Sequence, residues 1–396
     1  MPTPESGLSR RRFLARALTG GATIAVVGTG GLSYRVFDTA VLDPHHRDAY
    51  DPWTTWREAP GPLGAVAAAI LAANPHNTQP WTFRVTSQVI DVHADPARRV
   101  VALDPLGRET HIGLGCALEN LVLGAQARGL DPTVSLLPDG SDDGWVASVA
   151  LGRAPAAGGA RASDLYDAIG DRHSDRGAYG DEALTAQTLS LLVDTAGLPG
   201  VEVHWITERP AMESMSTLMI EAATAVTEDQ QQSRDGFVWF RPDDDEIQRH
   251  RDGLTLDGQG MSPAVLTIAK LIPASSRTAG DAFWVTQTRN VHTATAKAYG
   301  VITVADAGDP ATRLTGGRLL QRVHLTATSH GVAMQHMNQI TERIDRDAST
   351  GSVDQFSARL QALLPPGTQP LASFRVGHPV RQARLSPRRA VDEVAT

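Results

Sequence analysis

The sequence has almost no cysteine and few aromatic residues. Cys116 is the only cysteine among 396 residues, so an intramolecular disulfide and a cysteine-rich metal site are both excluded. Aromatic residues make up 5% of the chain, whereas apolar residues as a whole make up 41%. That apolar share is enough to build the core of a globular protein.

An excess of basic residues is also absent. The formal net charge is −8, which argues against a nucleic-acid partner because phosphate binding needs a basic face. Beyond the N-terminal region, no apolar run is long enough to cross a bilayer. The histidines His45, His46 and His250 lack a metal-binding spacing, and the acidic run at 243–246 lacks a calcium-loop pattern. We therefore predict no metal site.

The N-terminus carries an export pattern. Ser9-Arg10-Arg11-Arg12-Phe13-Leu14 matches the twin-arginine motif S-R-R-x-F-L and precedes an apolar, glycine-rich run from Ala17 to Gly31. We predict that residues 1–40 direct export through the twin-arginine pathway. No clear cleavage site precedes residue 41, so a cleaved signal and a retained membrane anchor are both open. Residues 41–61 are interpreted as a connector.

An internal repeat indicates two similar halves. The window from Gly115 to Gly129 parallels the window from Gly317 to Gly331, with apolar positions in register. Farther along each half, the segment 147–152 parallels 372–377. Together with the alternating helix and strand patterns, this predicts an α+β fold with halves at 62–155 and 160–396. The second half contains a polar insertion at 230–262, whose aromatic residues 237–240 favour a cover over a site.

Two motifs carry the chemistry. The first is Asn74-Pro75-His76-Asn77-Thr78-Gln79-Pro80-Trp81, and the second is Arg172-His173-Ser174-Asp175-Arg176, which we expect at the start of a helix. Near the C-terminus, Gly377-His378-Pro379 precedes Arg388 and Arg389. The N-x-Q-P-W and R-x-S-x-R segments resemble the flavin-binding parts of the nitroreductase family. The resemblance covers roughly residues 60–395 and is nearest to the fused, Acg-like branch, in which one chain holds two units.

This resemblance implies FMN as the cofactor. Arginine forks and a serine hydroxyl suit the phosphate, and the Asn77 and Gln79 side chains suit the edge of the isoalloxazine ring. The resemblance also implies a basic residue of the C-terminal segment at the phosphate and ring contacts from the span 331–338. The candidate cofactor-binding residues are Asn74, Pro75, His76, Asn77, Gln79, Arg172, His173, Ser174, Arg176, Met337, Asn338, Arg388 and Arg389. No side chain is assigned an acid–base role.

The order of the motifs is the reverse of the family's usual order. Nitroreductases are intertwined homodimers in which one subunit supplies R-x-S-x-R and the other supplies N-x-Q-P-W. Here the first half keeps only N-x-Q-P-W, and the second half keeps only R-x-S-x-R. The resemblance therefore implies one FMN site per chain, in a pseudo-dimer that does not need to dimerise further.

Two functions follow from the resemblance. The first is an FMN-dependent oxidoreductase that passes two electrons to a nitro or quinone compound from a donor that the sequence does not identify. The second is a protein that binds or sequesters FMN with little turnover, since NAD(P)H is not expected outside the cytoplasm.

Overall fold

The computed structural model describes residues 47–139, 144–153, 163–194, 197–272 and 274–396. The predicted export segment, residues 1–40, lies outside these ranges. No helix within them is long and apolar enough to span a bilayer. The helices are α1 Pro52–Thr55, α2 Gly61–Ala69, α3 Arg108–Ala127, α4 Asp164–Asp167, α5 Ala186–Asp194, α6 Arg209–Glu228, α7 Gln230–Val238, α8 Asp244–His250, α9 Pro263–Leu271, α10 Arg277–Gln287, α11 Thr293–Thr295, α12 Pro310–Ser329, α13 Gln339–Thr350 and α14 Ser357–Gln361, with a π-helical turn at Thr288–His292 and 3-10 turns at Asp48–Tyr50, Pro75–Asn77, Pro96–Arg98, Asp257–Gln259 and Val391–Glu393.

Two antiparallel four-stranded sheets have the same topology. The strands are β1 Trp81–Val85, β2 Val89–Ala94, β3 Leu130–Leu136, β4 Trp145–Arg153, β5 Val201–Ile206, β6 Phe240–Arg241, β7 Leu254–Thr255, β8 Ala298–Val304, β9 Ala333–His336 and β10 Gln369–Gly377. The first sheet has the order β1-β2-β4-β3 and the second the order β5-β8-β10-β9. Each half therefore runs strand, strand, long helix, strand, strand, with its last strand inside the sheet. The predicted α+β fold with two homologous halves is confirmed.

The long helices α3 and α12 pack against each other and join the halves. They cross at the two glycines that the sequence repeat places in register. A Cβ atom on Gly115 would lie 2.9 Å from Gly317 Cα, and one on Gly317 would lie 2.9 Å from Ile112 Cα. Only glycine permits this approach of the two backbones. Each helix is followed by a glycine with positive φ, +72° at Gly129 and +69° at Gly331, which is the usual left-handed helix stop.

One apolar core and the C-terminal tail hold the halves together. Buried residues of both sheets and both long helices form a single continuous cluster. The tail leaves the second sheet and pairs with β1 of the first, where the Phe83 amide donates to Val394 O (2.8 Å) and the Thr396 amide donates to Phe83 O (2.9 Å). The tail thus carries residues 378–396 of the second half onto the first half.

The two halves differ most between their first two strands. Residues 86–88 join β1 to β2, whereas residues 207–297 join β5 to β8 and contain helices α6 to α11. The sequence indicates an irregular insertion at 230–262. The structure instead has the helices α7 and α8 and a short parallel pairing of β6 with β7 in this region. Asp229 and Asp243 start these two helices, because each side chain accepts hydrogen bonds from first-turn amides.

Candidate functional site

A cavity of about 290 Å³ lies between the two halves and the 207–297 segment, near the lower limit of small-molecule sites. Seven residues predicted from the sequence line it: Asn74, Pro75, His76, Ser174, Arg176, Met337 and Asn338. They come from three separate stretches of the chain, and both halves contribute. Asn77, Gln79, Arg172, His173, Arg388 and Arg389 are not in the lining.

The Asn74–Gln79 loop reaches the cavity in an unusual backbone conformation. His76, Asn77 and Gln79 have φ of 50°, 54° and 53°, a left-handed region that costs non-glycine residues free energy. The loop packs directly on α3, since a Cβ on Gly113 would lie 2.9 Å from Pro75 Cδ. Asn74 Oδ1 accepts a 2.8 Å hydrogen bond from the Gln79 amide and closes the loop.

The side chains of Asn77 and Gln79 make contacts other than the expected ring contacts. Asn77 Nδ2 donates to Gly253 O (3.2 Å) and Pro387 O (2.9 Å), and Arg388 donates to Asn77 Oδ1. Gln79 Nε2 donates to Arg251 O (2.8 Å), and Gln79 Oε1 accepts from the Arg389 amide (2.8 Å). Both amides therefore fasten the loop to the 207–297 segment and to the tail.

The Arg172–Arg176 cluster does not start a helix, and this part of the prediction is wrong. Ser174 forms an isolated parallel bridge with Met334, and the Asp175 amide donates to Met334 O (3.0 Å). In extended backbone, side chains four residues apart are separated by roughly 13 Å. Arg172 accordingly donates to Leu71 O (2.9 Å), whereas Arg176 donates to Gly258 O (3.1 Å). In the part of the chain that the structure describes, residues 172–176 belong to no helix.

Arg172 and Arg388 form a buried cationic pair beside the cavity. They donate to consecutive carbonyl oxygens that follow α2, Leu71 O (2.9 Å) and Ala72 O (3.3 Å). Both side chains are 2% exposed. Within the described residues neither forms an ion pair, and the Nε atoms of both are buried without a hydrogen-bond partner. Burial lowers the pKa of Arg172 to about 10, and burial with the Arg172 charge lowers that of Arg388 well below its usual value.

Neutral histidines surround this positive region. Burial, helped by the charge of Arg176, lowers the pKa of His76 to about 4. Burial and the charges of Arg172 and Arg176 lower the pKa of His336 to about 3, and His292 and His324 shift the same way. Arginine therefore supplies the positive charge at neutral pH. The buried, unpartnered donors of Arg172 and Arg388 fit a bound anion such as a phosphate.

Trp53, which lies in the predicted connector, takes part in the site. Trp53 Nε1 donates to Ser386 O (2.7 Å), and the Trp53 ring lies 4.6 Å from the His173 ring. The Arg388 guanidinium stands 5.0 Å from the centre of the same indole ring. His173 and Arg388 therefore pack against the same indole ring.

Sequence reasoning missed much of the cavity wall. Glu109 on α3 and Glu342 on α13 are acidic lining residues that no motif marks. The 207–297 segment adds aromatic rings, and of the expected aromatic stretch only Phe237 and Phe240 line the cavity. Repeated helix-start patterns are the signal that could have located the acids, because both lie in first turns. The aromatic lining residues are Phe237, Phe240, Phe283 and Trp284.

No family model matches the chain. A Mycobacterium tuberculosis protein (strain ATCC 25618 / H37Rv) named as an NAD(P)H nitroreductase is 27% identical over 171 residues, 43% of this chain and 48% of that protein. The Acg protein of the same strain, also named as an NAD(P)H nitroreductase, is 31% identical over 85 residues, 22% of this chain and 26% of its own length. The chain is therefore similar to proteins named as nitroreductases over part of its length. The chain spans about half the length of the first of these two proteins.

Solved structures with low similarity include further nitroreductases. An FMN- and NADPH-dependent nitroreductase from a Sphingopyxis strain, HMH, is 15% identical, with 58% of this chain and 96% of that chain covered and a TM-score of 0.37. A nitroreductase with bound FMN from Desulfitobacterium hafniense DCB-2 is 17% identical, with 60% and 98% covered and a TM-score of 0.35.

Proposed function

We propose that this chain is an FMN-dependent oxidoreductase with one flavin site between its two halves. The observation that carries the proposal is the cationic pair Arg172–Arg388, which is buried without a carboxylate partner among the described residues, beside a cavity that both halves line. The relatives named as nitroreductases support the same chemistry. The acceptor is a small nitro or quinone compound.

The chain's own residues would hold the cofactor in two parts. Arg172 and Arg388 would bind the phosphate, because their free Nε–H groups lie in a positive, water-poor region. Asn74, Ser174 and Asn338 would offer polar groups along the cavity wall. The bound flavin supplies two-electron chemistry, and the protein orients it and excludes water.

Differences between the two long helices support a single site per chain. In the register that matches Gly115 with Gly317, the small cavity residues Gly113 and Cys116 correspond to Thr315 and Arg318 on α12. Arg318 Nε donates to Glu119 Oε2 (2.9 Å), so an ion pair fills the equivalent position. The purified protein should hold one FMN per chain, measured by absorbance against protein concentration. A ratio near two would contradict this.

Turnover distinguishes the enzyme from a protein that only sequesters FMN. We expect the bound flavin to be bleached by NAD(P)H or by a quinol in stopped-flow absorbance and to be reoxidised by a quinone. The sequestering function has one structural feature in its favour, the aromatic residues of the 207–297 segment at the cavity. A flavin that stays oxidised with every donor would favour sequestration.

We also propose that the chain is exported. The motif at residues 9–14 supports this proposal. Changing Arg10 and Arg11 to lysine should retain the full-length protein in the cytoplasm, as measured by cell fractionation with a cytoplasmic marker. Equal export of the lysine variant would refute the twin-arginine route.

A further inference from the structure

We propose that Glu109 and Glu342 form a proton-holding carboxyl pair in the cavity wall that protonates a quinone oxygen as the quinone is reduced. The two residues come from different halves, in the first turns of α3 and α13, and both line the cavity. This inference rests on the proposed function, and it adds a proton donor that the sequence motifs do not contain.

Hydrogen bonds fix the orientation of Glu109. Asn338 Oδ1 accepts from the Ser373 amide (2.8 Å), so the Asn338 amide nitrogen is the atom that donates to Glu109 Oε2 (2.6 Å). The other oxygen, Glu109 Oε1, is buried without a partner. A buried, unpartnered carboxyl oxygen is costly as an anion and favours the protonated acid.

Among the described residues, the cation that acts on Glu109 is bound to another partner. That cation is Arg108, and both arms of its guanidinium bind Asp345, at 2.7 and 2.6 Å. Asp104 adds a further negative charge and is fixed by hydrogen bonds from the Glu109 amide (3.0 Å) and the Thr110 amide (2.9 Å). The acids therefore outnumber the available bases at this end of the cavity.

The charged groups around Glu109 and Glu342 lie on several of the elements that surround the two side chains. They are Arg108 on α3, Asp104 before α3, Asp345 on α13 and, elsewhere in the cavity lining, Arg176 and the Arg277 and Asp281 side chains of α10. Arg277 is committed to Asp281 (3.3 Å) and to the Gln230 side chain (2.8 Å). Burial, then the neighbouring acids, raise the pKa of Glu342 to about 8 and that of Glu109 well above its usual value.

The chemistry at this wall matches a neutral, planar carbonyl compound. Aromatic residues, among them Trp284 and Phe240, provide apolar surface for a ring, and a protonated carboxyl can donate to a carbonyl oxygen. Reduction of a quinone to a hydroquinone adds one hydride equivalent and one proton. The two electrons of the hydride equivalent come from NAD(P)H or a quinol, the electron donors of the proposed function. The carboxyl O–H bond breaks, an O–H bond forms on the quinone, and the carboxylate regains a proton from water.

The first experiment tests whether the pair holds a proton. Infrared difference spectra of the purified, flavin-loaded protein between pH 6 and pH 9.5 should show the C=O stretch of a protonated carboxylic acid that disappears as pH rises. The Glu342→Gln and Glu109→Gln variants should each remove or shift this signal. Glu202→Gln, at an exposed strand position, is the matched control and should leave it unchanged. Because the wild-type spectrum is decisive, poor folding of a variant does not prevent the test.

The second experiment tests proton transfer with 1,4-benzoquinone as the acceptor. In Glu342→Gln we expect kcat at pH 7 to fall at least tenfold, with KM changed less than threefold, and the basic limb of the kcat–pH profile to disappear. An infrared signal without any kcat effect would overturn proton transfer, and no titrating signal would overturn the pair. If the protein does not bind FMN but still shows the infrared signal, the result would support the carboxyl pair and refute the proposed function.

Discussion

Replacing Arg172 with methionine should stabilise the flavin-free protein and lower its affinity for FMN. The substitution keeps most of the apolar volume and removes a charge that has no carboxylate partner within the described residues. Arg108→Met is the matched control. Arg108 is similarly buried but forms a two-pronged ion pair with Asp345.

The magnitude follows from the electrostatics of Arg172. Its pKa falls from 12.5 to about 10, which at about 1.4 kcal/mol per unit means that burying the charge costs about 3 kcal/mol. A lowered pKa of a base destabilises the charged form at every pH below about 10, so this cost is constant from pH 5 to 9. Loss of the hydrogen bond to Leu71 O (2.9 Å) offsets about 1.5–3 kcal/mol. The apoprotein should therefore be unchanged or gain up to about 2 kcal/mol.

Urea denaturation of the flavin-free proteins measures these changes. Arg108→Met should lose about 3–5 kcal/mol, because it leaves Asp345 buried and unpaired. Fluorescence titration of the same proteins should show FMN affinity about 10- to 150-fold lower in Arg172→Met, the equivalent of about 1.5–3 kcal/mol. If Arg172→Met destabilises the apoprotein as much as Arg108→Met, Arg172 has a structural role. Unchanged FMN affinity would mean that the phosphate binds elsewhere.

Three further predictions concern the helix crossing, the acidic pair and the loop. Gly317→Ala should cost about 1–3 kcal/mol or more in urea denaturation, because its Cβ would press on the Ile112 backbone; an unchanged midpoint would refute the close crossing. Since the raised pKa of Glu342 favours folding only while the group is protonated, its contribution is full below about pH 4.5 and lost as pH rises to about 8. Glu342→Gln should therefore gain about 2–4 kcal/mol relative to wild type between pH 5 and pH 9, allowing for water in the cavity, and a constant difference would contradict this. Asn77→Ala should speed proteolysis of the C-terminal tail, followed by mass spectrometry, because it removes the bonds to Gly253 and Pro387; equal cleavage rates would count against it.

The duplicated fold could be predicted from the sequence because the repeat records backbone requirements. Gly115 and Gly317 are needed where the two helices cross, and Gly129 and Gly331 are needed where they stop. These glycines therefore recur at the same spacing in both halves of the sequence. The matching strand order in both sheets follows from the same duplication.

The details of the site could not be predicted, because they depend on contacts between distant segments. The Arg172–Arg176 spacing suits a helix, but pairing with Met334 makes the segment extended. Asn77 and Gln79 are polar residues of the N-x-Q-P-W motif, and only the fold shows that they bind the tail. Glu109 belongs to the first half and Glu342 to the second, so no local pattern could reveal the acidic pair.

The connection between β1 and β2 is much shorter than the connection between β5 and β8, so the two sides of this molecule are not equivalent. In a dimer of identical subunits, any segment such as 207–297 would occur twice, once on each side of the two-fold axis. Here residues 86–88 close the same turn on the opposite side. In a single chain, mutations can therefore change the 207–297 segment without changing the 86–88 turn. The two sides of the molecule can then differ in shape and in the surroundings they contact.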